Sequence, residues 1–113
     1  MQGNGQLDGP LDTESGNRYS ISIGGDSVPE ISLFAGIRIS MYYDDHNPPH
    51  FHASYNGQTA LVDIQKGYVI RGALPNRQLK YVLAWTEFHQ DELMQDWELA
   101  RSGKALRDIA PLF

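Results

Sequence analysis

Three of the four histidines of this chain fall within seven residues, in the run His46-Asn47-Pro48-Pro49-His50-Phe51-His52. Imidazole is a good ligand for zinc, nickel, copper or iron, and three histidines with an open coordination position suit a catalytic metal. His50 and His52 are two positions apart, so on a β-strand they project from one face with Cα atoms about 7 Å apart. His46 can join them across the stiff Pro48-Pro49 loop. The candidate metal ligands are therefore His46, His50 and His52, and the candidate cofactor is a divalent transition metal such as zinc. Asp44 and Asp45 could add a carboxylate or orient a ring from behind. His50 and His52 are also the candidate catalytic residues, because a histidine pair can act as acid and base in RNA cleavage without a metal. The competing use of such a cluster is structural: histidines that bond backbone groups and fix the loop, or stack on Phe51 or Tyr55. The spacing is not that of the helical H-E-x-x-H metal site.

The fourth histidine, His89, lies near an apolar stripe and reads as a structural histidine bonded to a sheet carbonyl. Arg71, Arg77 and Lys80 surround a strand-to-helix junction and are candidates for contact with an anion or nucleic acid near a helix N-terminus. A solvated charged face is the commoner use of such residues. No nucleophile elbow, phosphate-binding loop or dinucleotide fingerprint is present in the sequence.

The elements that must position these groups follow from periodicity. Ile31 to Ala35 and Ile37 to Tyr43 alternate as two β segments around Gly36, which marks a bulge or tight turn. His50 to Tyr55, Thr59 to Gln65 and Tyr68 to Arg71 make a three-strand meander. Asn56-Gly57 joins the first pair in a type I′ turn, and Lys66-Gly67 joins the second. Leu74-Pro75-Asn76 is a stop followed by a helix cap, with Asn76 as the capping residue. A helix of about 26 residues then runs on an apolar stripe through Leu79, Val82, Leu83, Leu93, Trp97 and Ala100, with a kink near His89 to Asp91 as the alternative to one straight rod. Leu106, Ile109 and Leu112 are expected to dock the tail on the body. The fold class expected is α+β: a small antiparallel β-meander packed against a long C-terminal amphipathic helix.

The chain has 113 residues, 41% of them hydrophobic and 20% charged, which predicts a single globular domain at residues 28–113. Residues 1–27 are rich in Gly, Ser, Asn and Asp and are expected to be disordered or vector-derived, with Tyr19, Ile21 and Ile23 as a weak strand signal. Asp8, Asp12, Glu14 and Asp26 against Arg18 give this segment a net −3, so the remainder carries only −2 of the total −5. That balance opposes general attraction to phosphates yet leaves room for a local basic patch. The absence of cysteine excludes disulfides and thiolate chemistry and makes the cytoplasm the expected compartment, with no membrane span. A domain this small gains from a second subunit, so a homo-oligomer is a standing expectation.

The segment PEISLFAGIRISMYYDDHNPPHFHASYNG, the Ala-Leu-Pro before the helix, and the pattern of Trp85, His89, Glu92, Leu93, Trp97 to Arg101 and Gly103 resemble a family of small bacterial proteins catalogued as domain of unknown function 4160. The resemblance covers Val28 to Phe113. It implies a small protein encoded beside another, an arrangement like that of toxin-antitoxin pairs, and brings no established catalytic residue. Three functions are carried forward. The first is a regulatory or toxin-antitoxin-type interaction protein that binds a neighbouring small protein. The second is a metal-dependent or histidine acid-base hydrolase or ribonuclease. The third is a non-catalytic RNA-binding module.

Overall fold

The computed structural model describes residues 29–43 and 45–113, and the expectations for residues 1–27 lie outside the described residues. Five strands occur in chain order: β1 (Glu30–Phe34), β2 (Ile37–Ser40), β3 (His50–Tyr55), β4 (Gln58–Asp63) and β5 (Val69–Gly72). They form one antiparallel sheet in the order β1-β2-β3-β4-β5, so each strand pairs only with its neighbours in sequence. The meander thus extends two strands beyond the three-strand core expected. Its turns carry the signatures the sequence offered. Asn56 and Gly57 have φ of 48° and 80°, and Ala35 and Gly36 have 52° and 74°, which makes Gly36 part of a tight two-residue turn.

Alternation along the strands sets two faces. Ile37, Ile39, Phe51, Ala53, Ala60 and Val62 are fully buried and form the core side of the sheet. Residues directly opposite one another in an antiparallel pair share a face. Ser40 opposes His52, His52 opposes Leu61, and Leu61 opposes Arg71, so these four lie in one row on the other side. Gly72, at the end of β5, has a φ of 78°, and a Cβ there would stand 2.1 Å from the Thr59 carbonyl oxygen. No other residue fits that approach.

The expected single long helix is two helices, α1 (Asn76–Phe88) and α2 (Gln90–Arg101). The break is at His89, whose φ of −122° and ψ of 23° leave the helical region. Gln90 donates its side-chain amide to the Ile64 and Gln65 carbonyl oxygens, at 2.8 and 2.9 Å, and so ties the start of α2 to the end of β4. Asp91 and Glu92 then occupy the first turn of α2, where carboxylates favour a helix start. The cap of α1 also differs from expectation. Pro75 is the N-cap, Asn76 is already helical, and no side chain caps the first turn.

The helices bury Val82, Trp85, Leu93, Trp97 and Ala100. Trp85 meets Phe34 and Phe51 with ring centroids 5.3 and 5.6 Å apart, and its Nε1 donates to the Ala110 carbonyl oxygen at 2.8 Å. Ile109 is buried and donates its backbone N–H to the Ile31 carbonyl oxygen at 2.8 Å, which docks that part of the tail. These strands, helices and tail belong to one unit, Glu30–Ser102 with Arg107–Phe113. A separate unit includes Pro29 and Gly103–Leu106 among the described residues, without strand or helix. No helix among the described residues is long and apolar enough to cross a membrane.

Candidate metal centre

His50 opens β3 and His52 follows on the same face, as the period of a strand requires. Their ring centroids are 5.4 Å apart. The third member of the cluster is Asp45, from the loop between β2 and β3. Its Oδ2 lies 3.1 Å from His50 Nε2 and 2.9 Å from His52 Nε2. One ligand atom from each of the three residues lies within 4.8 Å of the others. His46 is exposed and is not one of these three, and the loop places the Asp45 carboxylate beside the histidine pair.

Hydrogen bonding fixes the chemistry of His50. Its Nδ1 is 2.8 Å from the Pro48 carbonyl oxygen, which can only accept, so Nδ1 carries the proton. In the neutral ring Nε2 then holds a lone pair, and that lone pair faces the Asp45 carboxylate. The His50 side chain is 8% exposed and packs against Trp97 with ring centroids 5.4 Å apart, while Asp45 is more open to solvent. A lone pair facing a carboxylate oxygen at this distance is repulsive unless a proton, on either group, or a metal ion sits between them. Metal bonds of about 2.1 Å at tetrahedral or octahedral angles place neighbouring donors about 3.0 to 3.4 Å apart. The observed separations of 2.9 and 3.1 Å lie close to that range.

Tyr42 borders the site, with its ring edge-on to His52 at 4.5 Å. Burial, and secondarily the negative charge of Asp45, push its phenol above the ordinary tyrosine value. Asp63 lies opposite His50 across the β3–β4 ladder, but its buried carboxylate is engaged elsewhere, accepting from the Lys66 backbone N–H at 2.8 Å.

The remaining candidates lie apart. His89 is hydrogen bonded to the Glu92 carboxylate, 2.5 Å away, and packs on the Trp85 ring, rather than bonding a sheet carbonyl. Arg71 is exposed on β5, and Arg77 and Lys80 are exposed on α1. Asp45 was legible as a supporting carboxylate from its place beside the histidines. The contributions of Tyr42, Trp97 and the Pro48 carbonyl were not, because each depends on a contact that no spacing in the sequence announces.

The family model for a domain of unknown function (DUF4160) matches residues 36–98, a span that includes Asp45, His50, His52 and Trp97. No curated protein matches the chain at a significant level, and no solved structure does.

Proposed function

We propose that this chain, which belongs to the DUF4160 family, is a metal-dependent hydrolase whose divalent transition metal is held by Asp45, His50 and His52. The observation that carries this reading is the His50 ring, whose Nδ1 is committed to Pro48 while Nε2 faces the Asp45 carboxylate. Two imidazoles and a carboxylate suit zinc, and equally iron or nickel, and three protein ligands leave room for water. Asp45, His50 and His52 would hold the ion, which when bound would supply a water of lowered pKa and a Lewis acid at the bond to be cleaved. In hydrolysis the water oxygen forms the new bond, the bond to the leaving oxygen breaks, and the water proton ends on the leaving group.

The test is elemental analysis of protein purified without an affinity tag, beside a His50→Ala/His52→Ala variant. One equivalent of metal, lost in the folded variant, is the expected result. Wild-type protein that takes up no zinc, nickel or iron at micromolar concentration would sink the reading.

A regulatory or toxin-antitoxin-type interaction remains the second reading, set in a bacterial cytoplasm. It is supported by β5, an edge strand whose Ile70 is exposed, as is Tyr68 just before the strand. Such an edge can take an added strand from a small neighbouring protein or from a second copy of this chain. Co-purification of the chain with the product of the adjacent gene, lost on Ile70→Lys, is the corresponding check.

A further inference from the structure

We propose that the substrate of this centre is a single-stranded nucleic-acid phosphodiester, lying along the row His52, Leu61 and Arg71 of β3 to β5 with one phosphate at the metal and another on Arg71. The proposal rests on the metal reading above and adds the substrate class to it.

The register supplies the geometry. His52, Leu61 and Arg71 are direct cross-strand partners and share one face. Two strand spacings separate His52 from Arg71, about 10 Å at the backbone. A lone phosphate on the metal would leave Arg71 without a partner, whereas successive phosphates of one chain can engage both ends of the row. Arg71 is free for this role: it is exposed and has no ion pair among the described residues, unlike Arg38, whose Nε lies 2.7 Å from Glu30.

The groups around the row fit the rest of a nucleotide. Leu61 is half-buried between the two charged ends and offers an apolar rest. Tyr42, 37% exposed, stands beside His52 and presents an aromatic ring on which an unpaired base can stack. Unstacked bases are a property of single strands, so the surface favours them over a duplex. The net charge of −5 does not oppose this placement. Of the carboxylates near the row, Asp45 would be neutralised by the metal, and Asp63 is buried on the Lys66 backbone. Counted with Asp45, a dication would leave one net positive charge at the centre, beside the unpaired Arg71 guanidinium at the other end of the row.

The experiment uses the full chain with one equivalent of zinc and a fluorescein-labelled ten-nucleotide oligouridylate, followed by anisotropy at several salt concentrations. Equilibrium dialysis of zinc is run on the same samples. Wild type is expected to bind, and Arg71→Ala to bind at least about fivefold more weakly, with the slope of log affinity against log salt reduced by about one. Arg71→Lys should recover that slope, and Arg77→Ala/Lys80→Ala on α1 should bind as wild type does. Zinc bound without oligouridylate binding overturns this inference alone, whereas failure to bind zinc overturns the metal reading beneath it. An unchanged Arg71→Ala, a loss confined to the helix variant, equal binding of a duplex, or full competition by inorganic phosphate at equal concentration would each overturn the placement.

Discussion

His50 and Asp45 face each other through Nε2, the His50 nitrogen that the Pro48 carbonyl leaves uncommitted, with 3.1 Å between Nε2 and Oδ2. Replacing Asp45 by Asn keeps the size of the side chain and removes the charge. Asp45→Asn is expected to remain folded by circular dichroism and to lose more than about tenfold in zinc affinity by competition with a chromophoric chelator. His46→Ala, at an exposed position outside the three, should leave that affinity unchanged.

Asp96 is 1% exposed, accepts the Arg107 backbone N–H through Oδ1 at 2.9 Å, and has no partner for Oδ2 among the described residues. Burial foremost, with the charges of Asp108 and Glu92, raises its pKa from 3.8 to about 6, against the lowering pull of the Arg107 backbone and side chain. The folded state therefore holds this proton more tightly than the unfolded chain. Its contribution is complete below about pH 4, falls as pH rises through about 6, and is absent at neutrality. Asp96→Asn should therefore gain on wild type across that window, by at most about 3 kcal/mol at pH 7. Urea melts of both proteins at pH 4 and pH 7 check this, and a difference that does not grow with pH would contradict it.

Gly72→Ala tests the tight approach of β5 to β4. The added methyl meets the Thr59 carbonyl oxygen at 2.1 Å in a backbone region with φ of 78°. A loss of at least about 3 kcal/mol in urea denaturation is expected, because both backbones sit in a ladder and neither can move alone. Gly57→Ala, where no atom lies within 4 Å, should cost visibly less.

Trp85→Phe removes the indole N–H while keeping much of the ring volume. The Ala110 carbonyl oxygen loses its donor, and the expected cost is about 1–3 kcal/mol. Amide exchange should rise first at Ile109, the residue whose N–H holds the tail to Ile31.

What the sequence disclosed follows from how local each signal is. The limits of β3 and the Asn56-Gly57 turn are encoded by neighbours in the chain, and both agree with the structure. The break at His89 was visible only as an alternative. The helical stripe continues through it, and the groups that fix the new direction, Gln90 with the Ile64 and Gln65 carbonyls, are about 25 residues apart. The end of β2 is hidden from the sequence for a similar reason. Tyr42 and Tyr43 continue the alternation of the strand, but the chain leaves the ladder after Ser40, before the loop that delivers Asp45. The shared face of His50 and His52 was legible from their spacing, whereas the nearness of Asp45 to that pair is decided by the path of a loop with no period to read.

The three proposed ligands all come from the eight positions between Asp45 and His52. A chain that has lost its sheet still keeps them close together, since closing so short a loop costs little entropy. Under the metal reading the denatured ensemble would itself chelate zinc, and zinc would raise the melting temperature by less than its affinity for the native protein implies. Metal retention and thermal protection should therefore come apart in this protein, and a ligand screen that relies on melting shifts would undervalue the ion.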